Sequence, residues 1–172
     1  MTPCPQCRLP SGYSHGQVND PLLNHFENQW KLLRTLTRDL LLHLSDDELK
    51  TSPSVDLGSW WKQFRHIGRV QENYLQAIIS GTMKFGFEGT SYNGGASKSS
   101  LDSYLQGLDH HLEALIKQGF PQQTVDWFGE PKSIAQHLLC LADHELLHHG
   151  QWTVYRRLAG GSFPKSWSIW GF

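Results

Sequence analysis

Four stretches of this chain repeat apolar residues at three- and four-residue steps, and that periodicity constrains the fold more than any other feature. After Asp20, with Pro21 suited to a first helical turn, Leu22, Phe26, Trp30, Leu33, Leu36, Leu40 and Leu44 describe one stripe of a long amphipathic helix ending near Ser45. Ser59 is placed to cap a second helix running to about Ile79, with Trp60, Phe64, Ile67, Tyr74 and Ile78 in its stripe and Gly81 to stop it. A third runs from Ser99 to Gln118 through Leu101, Leu105, Leu108, Leu112, Leu115 and Ile116, and Gly119 and Pro121 end it. The fourth spans Ser133 to Ala159, before Gly160 and Gly161. These segments predict an all-α four-helix bundle. Of the connections, SDDELKTSPSVDLGS reads as polar and irregular, residues 81–98 as a long Gly/Ser-rich loop and candidate lid, and TVDWFGEPKS as a short extended or turn element. The tail GSFPKSWSIWGF carries Trp167, Trp170 and Phe172, and is predicted to pack against the bundle or a partner subunit.

A length of 172 residues allows one domain with a substantial core. The net charge of −1 and the lack of a Lys/Arg cluster argue against a nucleic-acid reader. No apolar run is long enough for a signal peptide or a membrane span, so the expectation is a soluble, cytoplasmic protein that engages neither nucleic acid nor membrane. Three cysteines cannot all pair within one chain, which argues against a disulfide framework. Residues 1–19 read as an arm holding the pair Cys4 and Cys7, with the bundle over residues 20–172. The pair resembles half of a zinc ribbon or a redox motif, but no second pair follows, and an irregular arm is the simpler reading. Cys140 is expected to pack as a small hydrophobe.

The chemistry concentrates in DHELLHHGQWTVYRRL, where His144 and His148 lie one turn apart on a helix. Two imidazoles on one face are a chelating pair for Zn²⁺, Ni²⁺ or Fe²⁺. The run HELLH also satisfies the zinc-protease pattern, in which Glu145 would act as general base. That pattern needs a further ligand downstream, yet no Asp, Glu or His follows His149. Any third ligand must therefore come from upstream. In a bundle it belongs on a facing helix, and His66, mid-way along the second helix beside the apolar stripe, is the best placed. His137, Leu141, His144, His148, Gln151 and Tyr155 fall within about 60° of one another on the fourth helix. Gln151, His137 and Tyr155 are thus candidates for the pocket, although His137 stands about 10 Å from His144 and cannot share its ion. Asp143 and Glu145 point away from the ligand face, toward a neighbouring helix or solvent. His25, His43, His110, His111 and His149 are expected at the surface or its boundary.

The helix-two histidine in FRHIGRVQENYL, the late HELLHHGQ with YRRLAGG after it, and the terminal FPKSWSIW resemble the DinB/YfiT-like superfamily over roughly residues 20–172. The resemblance implies a four-helix bundle, commonly dimeric, with three histidines around a divalent metal that keeps open positions. Carried over residue by residue, the ligands fall on His66, His144 and His148. It also implies a metal-dependent enzyme, either a transferase that activates a low-molecular-weight thiol toward a small electrophile or a hydrolase that activates water. A non-enzymatic metal-binding or dimeric interaction protein is the third possibility. The CPQC arm is no part of that pattern.

Overall fold

A computed structural model describes residues 20–52, 57–85 and 90–172. Its elements are α1 (Pro21–His43), α2 (Asp46–Lys50), α3 (Trp60–Ser80), α4 (Lys98–Gln118), β1 (Thr124–Trp127), β2 (Glu130–Ser133), α5 (Ile134–Leu158) and a closing 3-10 helix (Lys165–Trp170). The four long helices are those read from the apolar periodicity, and the chain is an all-α bundle with one small hairpin.

Local chemistry sets their ends. The Asp20 carboxylate accepts the amides of Leu22 and Leu23 ahead of Pro21, filling donors that the first turn leaves unpaired. Ser133 and Gln136 form a reciprocal capping box at the start of α5. Gly81 stops α3 at φ 78°, a conformation that a Cβ disfavours. The segment after α1, expected to be irregular, contains α2, because Ser45 and Glu48 also complete a capping box. Arg156 of α5 then clamps Glu48 at 2.5 Å, tying α2 to the bundle.

α5 packs on α1 and α3, and α4 closes the far side against α3 and α1. One half of the core gathers Phe26, Trp30, Tyr74, Ile78, Leu112 and Leu138. The other gathers Leu40, Trp60, Phe64, Leu105, Trp152 and Trp167. The aromatic tail is part of that second half. Trp167 is fully buried, and its indole N–H donates to the Leu36 carbonyl at 2.9 Å. The stretch expected to be extended or turn is the antiparallel pair β1–β2, registered Thr124↔Ser133 to Trp127↔Glu130. Asp126 also bridges Thr82, which fastens the hairpin to the exit of α3. Among the described residues no helix is long and apolar enough to cross a membrane. Cys4 and Cys7 lie outside the described residues.

Candidate metal centre

α3 and α5 lie side by side, which brings His66 against the His144/His148 pair. Ring centroids are 5.3 Å apart for His66 and His144, 5.0 Å for His66 and His148, and 4.7 Å for His144 and His148. Each ring offers a nitrogen, and these three atoms lie within 4.8 Å of one another. Nitrogens sharing one ion at about 2.0–2.1 Å in a tetrahedral arrangement stand about 3.3 Å apart, so small ring rotations separate the observed group from a coordination sphere.

Burial is graded across the three, with His66 exposed, His144 intermediate and His148 buried. One side of the group therefore faces solvent, and the other is seated in the bundle. Burial pushes the His144 imidazole down to about 4, helped by His66. His148 is pushed down to about 3 by burial and by its neighbours His144, His66 and His149. His66 is lowered by burial and then by the positive charges of Arg69 and Arg65. All three rings are thus neutral at physiological pH, the state in which imidazole has a lone pair to give.

The residues fit a metal on one further observation. Nδ1 of His148 is buried and has no hydrogen-bond partner. An orphaned polar atom in a well-packed interior calls for an occupant, and a cation beside two more imidazoles is one the chemistry supplies.

Of the remaining sequence candidates, His137 and Tyr155 are engaged in packing and Gln151 is exposed. His137 is fully buried, accepts the Trp127 indole N–H on Nδ1 at 2.9 Å, and places Nε2 3.0 Å from the Tyr74 carbonyl. Its proton must therefore sit on Nε2. Tyr155 packs edge-on to Trp60 at 5.7 Å, and Gln151 is exposed on α5. Cys140 is partly buried beside the first core half. His149, expected at the surface or its boundary, is 2% exposed and lies about 100° further round α5 than His148, its ring tilted against those of Trp152 and Trp167.

Behind the histidines lies a polar network that periodicity did not reveal. Thr37 of α1 donates to Glu145 at 2.5 Å and stands 2.8 Å from Nε2 of His149. Arg34 reaches Glu145 at 3.6 Å, Asp109 at 3.3 Å and the Gln71 carbonyl oxygen at 2.7 Å. Glu145 is 1% exposed, and desolvation raises its carboxyl above the ordinary range against the opposing pull of Arg34 and Thr37. The glutamate of the HELLH run is thus committed to α1 rather than to the histidine cluster, in keeping with the rejection of a zinc-protease site. The one sequence signal for this network was a glutamate about 100° from its neighbouring ligand on a helix with apolar residues all round it.

Comparison with known proteins agrees with this architecture. The DinB superfamily model matches residues 25–152. The uncharacterized protein YrdA of Bacillus subtilis (strain 168) is 29% identical over 150 residues, covering 83% of this chain and 86% of YrdA. The crystal structure of a DinB-like protein from Bacillus cereus ATCC 10987 superposes with a TM-score of 0.66 at 23% identity, covering 83% of this chain and 95% of that one. A second DinB-like structure, YjoA from B. subtilis, gives 0.60 at 21% identity over 86% and 97% of the two chains. A helical bundle whose sequence matches that model over most of its length belongs to the DinB superfamily.

Proposed function

We propose that this protein is a metal-dependent enzyme in which His66, His144 and His148 hold a divalent transition ion, with Zn, Ni and Fe as the fitting metals. The observation that carries the reading is the convergence of three neutral ring nitrogens from two helices within 4.8 Å, one of them on a buried ring and one on a ring open to solvent. When bound, such an ion would supply Lewis acidity that keeps a small thiol deprotonated, or acidifies water, at neutral pH.

The protein's share is geometric and electrostatic. α5 fixes two rings at one-turn spacing, and α3 delivers the third from the side that faces solvent. Burial keeps the rings unprotonated. The three ligands are neutral imidazoles, so an ion here would retain its full charge toward an incoming molecule. The reaction we favour is transfer of a low-molecular-weight thiol to a small electrophile. The sulfur forms a bond to the electrophilic carbon, the leaving group departs with its electron pair, and the thiol proton passes to solvent.

The test is an assay of metal-loaded protein with a model electrophile, with and without small thiols. Thiol-dependent product that disappears on chelation is the expected result. Thiol-independent turnover of an ester or amide would replace transfer with hydrolysis. No turnover with any thiol, and no change of melting temperature on metal loading, would leave a non-enzymatic binding role.

The reading extends to a homodimer closed through the outer face of α5. Leu147, Val154 and Leu158 are exposed there along one row of the helix, and Ile169 and Trp170 of the tail are also exposed. A groove of about 350 Å³ lined by Leu146, His149, Gly150, Thr153, Trp170 and Phe172 opens on the adjoining row of α5. Exposed apolar faces of this kind mark association sites.

A further inference from the structure

Lys62, Arg65, His66 and Arg69 occupy about 100° of the α3 circumference, so three cationic side chains flank the most exposed ring of the cluster. Their lack of an ionic partner sets them apart from Arg34, Arg38 and Arg156. Arg34 is paired with Asp109 and Glu145, Arg38 with Asp102, and Arg156 with Glu48. Among the described residues, Lys62, Arg65 and Arg69 form no ion pair. The nearest acid along the helix, Glu72, accepts the backbone N–H and the hydroxyl of Ser91. The exposed Asp143, next to His144, makes no ion pair with them.

Arg65 and Arg69 stand at i,i+4, where like charges repel. Arg65 lies 5.1 Å above the Trp61 ring and Lys62 5.9 Å from it. A guanidinium held over an aromatic ring keeps N–H donors available to grip a planar oxyanion through two parallel hydrogen bonds. A half-buried and an exposed arginine, both without a counter-charge and both on the helix that supplies His66, make a receptor for negative charge at the solvent side of the cluster.

We infer that the small molecule taken up at the three-histidine group carries a carboxylate, and that Arg65 and Arg69 hold it while the reacting end of the molecule lies at the histidines. This rests on the metal-centre reading above and names the class of its ligand. Arg65 and Arg69 are specificity residues in this account, and Lys62 adds only long-range attraction.

The experiment titrates three thiols of similar size into zinc-loaded protein by calorimetry: 3-mercaptopropionate, neutral 2-mercaptoethanol and cationic cysteamine. We expect 3-mercaptopropionate to bind at least about tenfold tighter than 2-mercaptoethanol, cysteamine to bind weakest, and the gap to shrink as salt is raised. In the double variant Arg65→Gln, Arg69→Gln the gap falls to within about twofold, while 2-mercaptoethanol affinity and the far-UV spectrum stay unchanged. Equal affinities in the wild type, or a preference that survives the double substitution, would overturn the inference. If the protein retains no zinc or binds none of the thiols, the metal-centre reading fails, and the arginine claim is then decided on metal-free protein. There, glutarate should shift the side-chain Nε–H resonances of Arg65 and Arg69, and resonances that do not move would overturn it.

Discussion

The rings of His66 and His148 meet at 5.0 Å across the α3–α5 contact, His66 open to water and His148 sealed in the bundle. That asymmetry decides what the pair can do. The buried ring supplies a rigid, neutral donor with an unpartnered nitrogen, and the exposed ring leaves room for a molecule to arrive.

Glu145 provides a sharp test of role. It follows a ligand in sequence, yet its carboxylate is held by Thr37 and Arg34 on α1. Glu145→Gln should leave metal stoichiometry unchanged and turnover within about twofold. It should lower stability by about 1–3 kcal/mol, because Arg34 loses a buried counter-charge. Chemical denaturation and metal analysis of the same sample check both halves. A large loss of activity with metal retained would return Glu145 to a catalytic role.

Gly68 separates helix propensity from packing. An alanine in a helix interior is favoured over glycine by about 1 kcal/mol. At this position an added Cβ would run into the Tyr104 ring, which is held by Thr90 and packed on Tyr92. Overpacking of a constrained aromatic costs about 1–3 kcal/mol, so the net sign is destabilising. Gly68→Ala should lower the denaturation midpoint, and an increase would show that Tyr104 moves aside freely.

Acid should unfold the metal-free protein early. Burial pushes His137 down to about 4 and His149 to about 3, against an ordinary value of 6.5. Their contribution is complete above pH 6.5. As pH falls from there toward 4 the unfolded chain takes up protons that the folded state refuses, and stability drops by up to about 1.4 kcal/mol per pH unit for each group. Urea midpoints between pH 7.5 and 4.5 should show this fall, with a shallower slope in His137→Gln. A flat profile would mean that the buried imidazoles charge within the native fold.

Association should depend on the outer face of α5. Leu158→Glu, at a position 71% exposed, should convert a dimer to a monomer in light scattering without lowering the helical content. Monomeric wild-type protein at micromolar concentration would contradict the proposed interface.

How far the sequence led depended on how one-sided each helix is. α1, α3 and α4 bury one stripe, so their limits and most inward residues followed from periodicity and from caps such as Pro21 and Gly81, while Leu22 is 47% exposed and Leu115 and Ile116 are only partly buried. His66, His144 and His148 were legible because a one-turn spacing on α5 left only a facing helix to complete the group. α5 itself touches α1, α3 and the hairpin, and apolar residues surround it. The one-turn spacing from His144 singled out His148, but nothing in the pattern showed that His149 is buried, packed among Trp152 and Trp167, while His148 lies against His66. His137 shared the ligand row, but the Trp127 indole that covers it belongs to a hairpin whose pairing has no strong sequence signal. α2 was hidden for a different reason. Its capping box, Ser45 to Glu48, is readable, but five residues are too few to show a period.

The most direct measurement is the metal content of purified protein after incubation with Zn²⁺, Ni²⁺ or Fe²⁺ and exhaustive dialysis, beside His66→Ala, His144→Ala and His148→Ala. The account predicts about one ion per chain in the wild type and a loss of at least tenfold in affinity in every single variant, with folding retained. No retained ion in the wild type, or full retention in His148→Ala, would contradict it.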